Sequence, residues 1–426
     1  MTGKLIYSLA EKLFPICRSL TGNGVRESLK ILKEYCQELN ITEVPSGTQV
    51  FDWTIPKEWN INNAYIEDLQ GNRIISFADN NLHVLGYSAP IDKIVTRDEL
   101  LSMVYTQPDK PDVIPYVTSY YKERSGFCMT ENQKQTLNKE QYHIVIDSAL
   151  KDGSLTYGEI IIPGYIQDEI LISTYICHPS LANNEISGPC LTIFLAEWIK
   201  HIPNRRYTYR IIFIPETIGS IAYLSKNLDV LKKNVKAGFN LSCVGDDRTY
   251  SYLESKYANS LSDKVIQNIL KFYYSEYKRY PFLKSGSDER RYNSPAVELE
   301  VVGFSRSLYG EYPEYHTSAD NLSLISPAGF QGSFEVMTQC ILALENNFKY
   351  KVTTICEPQL GKRGLYPSVS ITGQYDEVMK MHNFLSYADG NNDLIDISNI
   401  IDVPICDLLN LVNLLIENDL IKLCTD

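Results

Sequence analysis

Ten cysteines are scattered through the 426 residues, and no two form a C-x-x-C pair. Their spacing therefore speaks against a zinc ribbon or a thioredoxin-type dithiol. Their mostly apolar neighbours suit a reducing compartment, where cysteine packs as a small core residue. No stretch reaches the roughly 20 consecutive apolar residues that a membrane span needs. The segment from Met1 to Phe14 carries Lys4, Glu11 and Lys12 without a long apolar run, so it does not read as a secretory signal. Basic charge is short. Forty Lys and Arg face 52 Asp and Glu, and the net charge of −12 argues against a broad nucleic-acid footprint, though not against a local basic patch. Internal repeats and long low-complexity segments are also missing. The expectation is a soluble cytoplasmic chain with no membrane partner.

What is present can build a sizeable core, since 44% of the residues are hydrophobic. The length suggests roughly two to three domains. Leu5, Leu9, Leu13 and Ile16 make one helical stripe, and after the Thr21–Gly24 break Leu29, Leu32, Tyr35, Cys36 and Leu39 make another. Both read as amphipathic helices covering a sheet. Residues 45–140 change character: short β-like runs such as Arg73–Phe77 are separated by Pro, Asn and Gly, which reads as an inserted β-rich domain. From Gln141 the pattern is α/β. Strands are expected at Tyr142–Ile146, Glu159–Ile162, Ile170–Ile176, Tyr209–Ile214, Ala237–Leu241, Ser251–Leu253 and Val297–Val302, alternating with helices such as Gly188–Lys200 and Leu261–Tyr274. The expected core is thus discontinuous, 1–44 plus 141–349: a mixed sheet with helices on its faces. Residues 350–426 read helix, turn, helix, strand, a winged-helix pattern.

One stretch organises the rest. The apolar run Ile170–Ile176 ends at Cys177-His178, turns through Pro179, Asn183 and Asn184, and enters a helix. A His at the carboxyl end of a core strand stands where open α/β sheets place their ligands. Glu216 and His316 occupy similar strand-to-loop positions. Two imidazoles, a carboxylate and a water suit catalytic zinc. Asp320, four residues after His316, either orients a ligand or caps a turn. His83 and His143 read as structural, His201 and His382 as solvent-exposed, and Tyr116, Tyr120 and Tyr121 as packing residues first and the lining of a surface second.

Four motifs in order carry a resemblance. They are Asn184-Glu-Ile-Ser-Gly188, Pro215-Glu-Thr-Ile-Gly-Ser220, Gly286-Ser-Asp288-Glu289 and Tyr315-His-Thr-Ser-Ala-Asp320. Together they make Gln141–Asn347 resemble the co-catalytic zinc aminopeptidases, relatives of glutaminyl cyclases and zinc carboxypeptidases. With its insertion and winged-helix tail, the whole chain is similar to a bacterial aminopeptidase-like family often associated with polysaccharide biosynthesis. The resemblance implies a zinc-aminopeptidase-like core, with His178, Asn184, Glu216 and His316 at metal-ligand positions and Glu185, Asp288 and Asp320 behind them. It also shows departures. Asn184 stands where the family has a bridging Asp, Ser242 where it has a second Asp ligand, and Pro215-Glu216 where it has adjacent acids. Two missing acids point to one zinc ion rather than two, because close cations need bridging anions. Glu216 is then either a ligand or the general base. Glu185 and Asp288 are candidates to meet a substrate amino group.

The implied function is a zinc-dependent hydrolase of a small peptide or other amide. The alternatives are a catalytically degenerate peptidase-fold scaffold and a ligand-sensing regulator. From residue 396 onward six acids face one base, Lys422. A recognition helix without Lys or Arg cannot neutralise phosphates. A protein partner or intramolecular packing is therefore expected of the winged helix, not nucleic acid. Homo-oligomers are common, and nothing in this sequence selects among them.

Overall fold

The structure, a computed structural model, describes residues 2–120, 122–274, 276–365 and 374–424; Tyr121 lies outside them. The chain divides into two compact units, 1–258 with 278–334, and 259–277 with 335–426.

The first unit is built on an eight-stranded mixed sheet. Its order is Asn40–Pro45, Ser154–Ile162, Thr208–Ile214, Glu169–Tyr175, Val235–Leu241, Val301–Ser305, Tyr250–Leu253, Tyr277–Tyr280. The four central strands, from Thr208–Ile214 to Val301–Ser305, run parallel. Ile170, Leu171, Ile172, Ile211, Ile212 and Phe213 are all buried. Burial on both faces is what a parallel block covered by helices requires, and it explains runs that are apolar rather than alternating. Helices Thr2–Leu13, Asn23–Tyr35 and Ser187–Lys200 pack together over one part of the sheet. Helix Ile218–Asn234 supplies Ile218, Ala222, Tyr223, Leu224 and Leu231 to a cluster with Leu171, Ile212 and Ile214. In the first helix Leu9 and Leu13 are buried as expected, but Ile6 is buried in place of the exposed Leu5.

The insertion forms its own antiparallel sheet, ordered Arg73–Ser76, Glu58–Asp68, Gln141–Lys151, Ile91–Thr96. This corrects the boundary expected at 140, because Gln141–Lys151 belongs here and not to the core. Its burial alternates, with Tyr142, Ile144, Ile146 and Ser148 inward. That period of two marks a strand buried on one face only. A second strand is shifted: Val301–Ser305 replaces the expected Val297–Val302, and Ala296, Glu298 and Glu300 hold positive φ in the turn before it.

In the second unit, strands Asp389–Asp393, Lys349–Val352 and Ile421–Leu423 pair in that order beside helices Gln374–Tyr387, Leu394–Ile401 and Ile405–Glu417. Asp393 caps one helix by accepting from the Asp396 N–H, and Asp402, left-handed at φ 57°, ends it. Helix Leu261–Tyr273 belongs to this unit as well. Lys264 pairs with Asp396 at 2.7 Å, and the Asn268 amide donates to Ser398 at 2.7 Å. Among the described residues no single helix is long and apolar enough to cross a membrane.

Candidate active site

The strand ends converge as α/β geometry demands. His178 follows Glu169–Tyr175, Glu216 follows Thr208–Ile214, Ser242 follows Val235–Leu241, and His316 lies in the loop after Val301–Ser305. Gly188 permits the approach of the next helix, since a Cβ there would stand 2.2 Å from Thr174 Oγ1 and 2.5 Å from the Leu241 carbonyl.

His178 is held on every side. The Arg18 Nε–H donates to its carbonyl at 3.0 Å. Its Nδ1 meets Glu185 Oε2 at 2.8 Å, and its Nε2 faces Glu216 Oε2 at 3.8 Å. Arg18 and Glu185 are themselves fully buried, 3.5 Å apart. Burial opposes a charged His178, but the Cys177 thiol and the Glu185 carboxylate outweigh it and push its pKa well above the ordinary imidazole range. His316 behaves oppositely: burial, with His178 nearby, lowers its pKa to about 3. It is a neutral imidazole whose buried Nε2 has no hydrogen-bond partner among the described residues. Its backbone is left-handed, φ 54°.

Glu216 is half-buried. One oxygen accepts from the Ser287 hydroxyl at 2.5 Å, and burial raises its pKa. The next residue, Thr217, holds φ 64°, and its N–H donates to Asp288 at 2.8 Å. Asp288 thus pins the strained turn that presents Glu216. Its own pKa rises to about 7, through burial and then the Glu216 charge.

Asp320 caps. It accepts from the N–H groups of Asn183 at 2.6 Å and Asn184 at 3.0 Å, and from the Tyr312 hydroxyl at 2.9 Å. It touches the π-helical turn Ala182–Ile186, a winding often found at functional sites, rather than an imidazole. Asn184 gives its amide N–H to the Tyr175 hydroxyl at 2.7 Å and leaves Oδ1 buried without a partner among the described residues. Glu185 and Asp288 are fully buried and absent from the cavity wall, which corrects the expectation that they meet a substrate amino group. The acids that do line the cavity are Glu216 and the exposed Asp52.

That cavity measures about 460 Å³, and His178, Glu216, Thr217, Tyr120, Leu20 and Trp53 help to line it. Tyr120 comes from the insertion, as does Tyr116. The Tyr116 ring packs 5.1 Å from that of His178 and 5.0 Å from that of His316, and the Tyr116 and Tyr120 hydroxyls lie 2.8 Å apart. The Tyr116 N–H donates to the His316 carbonyl at 2.8 Å, and the Ser318 N–H to that of Ile114 at 2.9 Å. These residues passed as packing in the sequence; the cluster of tyrosines in one loop was the available signal. Glu289 was also missed. It accepts from Gly286, Ser287, Tyr309 and Asn240, and so fixes the loop that carries Ser287.

The remaining histidines are elsewhere. His83 contacts the Cys128 carbonyl, and His143 lies between Glu67 and Asp92, acids supplied by neighbouring strands. His201 is exposed, whereas His382 is half-buried against Glu357 at 2.6 Å.

Among the described residues, the candidate ligand atoms gathered within 4.8 Å of one another are those of Cys177, His178 and Glu185, and of Cys36, Glu38 and Glu197. The first set relies on a neutral thiol, raised to about 11 by burial, and on a nitrogen bound to Glu185. It reads better as a hydrogen-bonded support behind His178. The donors that suit a metal chemically are His178 Nε2, backed by a carboxylate, and Glu216, both in the cavity wall, with His316 behind the wall, its ring 5.6 Å from that of His178 and its buried Nε2 without a partner among the described residues.

Sheet order and site together define an aminopeptidase-like α/β protein with a winged-helix unit. The DUF4910 family model, described as a domain of unknown function, matches residues 7–347, and a winged helix-turn-helix model matches residues 348–423. The chain belongs to the DUF4910 family. It is 46% identical over 399 residues to a Clostridium acetobutylicum protein provisionally named a polysaccharide biosynthesis protein with an aminopeptidase-like domain, covering 93% of this chain and 91% of that one. A crystal structure from the same organism, provisionally described as a peptidase, superposes with TM-score 0.93 at 44% identity, over 99% of this chain and 97% of that one. The zinc aminopeptidase of Bacillus subtilis shares the fold, with TM-score 0.57 at 14% identity over 80% of this chain and 94% of its own.

Proposed function

We propose that the protein is a zinc-dependent hydrolase of the aminopeptidase type, acting on a peptide or another amide. One observation carries the reading: His178, its Nδ1 fixed by Glu185, turns Nε2 toward Glu216 in the wall of a cavity of about 460 Å³. His178, His316 and Glu216 would hold one ion, with the Asn184 carbonyl as a weak fourth candidate. Bound zinc would polarise the scissile carbonyl and make its water acidic. Glu185 fixes the tautomer and orientation of His178, as a carboxylate behind a ligating imidazole does. Ser287 holds one Glu216 oxygen, leaving the other toward the imidazole. Leu20, Trp53 and Ile218 supply apolar wall that can exclude water from the reacting centre. The name of the Clostridium relative suggests an amide substrate connected with polysaccharide biosynthesis.

A scaffold reading on the same fold is favoured by Asn184 and Ser242, which stand where the zinc aminopeptidases have acids. Metal content per chain separates the two, measured by elemental analysis of protein purified without chelators, in wild type and in His316→Ala. The hydrolase reading expects about one zinc, as three protein ligands with a position left for water imply, lost in the variant. Two ions would mean that other side chains replace the missing acids. No metal, even after zinc is added, would sink the hydrolase reading.

A further inference from the structure

One wall of the cavity beside His178 is not supplied by the core. Tyr120 comes from the inserted domain and lines that cavity together with His178 and Glu216. Resting on the hydrolase reading, we propose that its hydroxyl is a catalytic hydrogen-bond donor to the carbonyl oxygen of the bound amide as that oxygen becomes an anion.

The Tyr116 and Tyr120 hydroxyls lie 2.8 Å apart, and each oxygen carries one proton. The bond between them uses one of the two. Neither hydroxyl makes another hydrogen bond among the described residues. One O–H is therefore left to find an acceptor. Tyr116 is absent from the cavity wall and Tyr120 is part of it. A donor left unmet behind the wall costs free energy, so the pair is best satisfied with Tyr116 donating to Tyr120 and the Tyr120 proton turned to the cavity. Burial pushes the Tyr120 pKa well above the ordinary phenol value, which keeps that proton in place.

The donor is also held in place. The Tyr120 ring meets that of Tyr87 edge-on at 5.6 Å, and Tyr87 stacks on Trp59 at 6.1 Å in the insertion's core. On its other side, Tyr116 packs against both histidine rings. A donor fixed before charge develops needs no reorganisation when it does, the condition under which such a group is worth most. Among the described residues no Lys or Arg lines the cavity, so neither competes for the anionic oxygen.

In amide hydrolysis the water oxygen bonds to the carbonyl carbon and the C=O π pair moves onto the carbonyl oxygen. The water's proton passes to the site's base, for which Glu216 is the candidate. Tyr120 meets the new oxyanion with a hydrogen bond and keeps its own proton. On collapse the pair returns, the C–N bond breaks, and the leaving nitrogen takes the proton from the base.

The test uses the zinc-loaded full chain, with the p-nitroanilides of leucine and alanine as substrates. Tyr120→Phe should lower kcat about 100- to 1,000-fold, the cost of one oxyanion donor, with KM and zinc content near wild type. Tyr116→Phe loses the same bond between hydroxyls but keeps its ring on the histidines, so its kcat should fall less than about tenfold. A binding arm needs no turnover and decides if neither anilide is cleaved. In isothermal titration, Tyr120→Phe should weaken the tetrahedral phosphonate analogue of leucine about tenfold or more and leave planar leucinamide within about twofold of wild type. Equal kcat losses in the two variants, no phosphonate binding by the zinc-loaded wild type, or phosphonate binding that survives Tyr120→Phe would overturn the assignment alone. A wild type that takes up no zinc would sink the hydrolase reading, and the assignment with it.

Discussion

At the scale of the residue, the site is organised by what stands behind His178 as much as by what faces the cavity. Glu216→Gln keeps the shape of residue 216 and removes its charge. If Glu216 is the general base, zinc content should stay near wild type while hydrolysis falls by a factor of 100 or more, as general-base losses do, roughly. Zinc falling together with activity would reassign it as a ligand. Arg18 is a different kind of test. Its guanidinium is buried, donates to the carbonyls of Leu13 and His178, and lies 3.5 Å from Glu185. Arg18→Ala would remove a buried cation beside Glu185, which keeps His178 at 2.8 Å, and strand the Leu13 and His178 carbonyls, and losing one partner of a buried pair costs about 3–5 kcal/mol. Urea unfolding should show that loss; a shift below about 1 kcal/mol, the scale of surface pairs, would mean that water reaches Glu185.

At the scale of the element, the insertion is part of the site. Its loop adds main-chain hydrogen bonds to the segment carrying His316, and Tyr116 lies against both histidine rings. A side chain that fixes two imidazoles acts on a metal through them. Tyr116→Ala should therefore lower zinc affinity by about tenfold to a hundredfold, the scale seen when support behind a ligand is lost. Chelator competition measures it, and an unchanged affinity would show that Tyr116 only fills space. This dependence was not legible in the sequence. Pro- and Asn-punctuated runs announced a β module, but not that one of its loops would reach a residue 200 positions further on, as Tyr116 reaches His316. His178 and Glu216 were legible as candidates because each follows a core strand and sits in a motif, and His316 through its motif alone, since it lies in a loop well past Val301–Ser305. Asp320 was half legible: a carboxylate near His316 was expected to orient a ligand or cap a turn, and it caps the turn at Asn183 and Asn184.

At the scale of the whole molecule, charge sets the limits. In the winged-helix unit, helix Ile405–Glu417 carries Asp407 and Glu417 and no Lys or Arg. Lys264 and Lys271 are paired with Asp396 and Asp402. A fluorescent duplex titrated with the full chain should show no saturable binding even at low salt, where phosphate contacts are strongest. A salt-dependent isotherm there would revive the regulator reading.

The sequence by itself determined most of the elements but not all of their ends, since Val301–Ser305 stands where Val297–Val302 was expected. Apolar runs covered on both faces gave the parallel strands, and alternating or helical patterns gave the rest, because burial of each element is written in its own periodicity. It also showed that His178 and Glu216 follow core strands and, through the resemblance, that Asn184, Pro215 and Ser242 stand where the zinc aminopeptidases have acids. The tertiary structure alone decided that Gln141–Lys151 joins the insertion, that Glu185 backs His178, and that Tyr116 packs against the two histidines. Periodicity records that a residue is buried, not against what; the partner is chosen by pairings between segments as distant as Arg18 and His178, 160 residues apart.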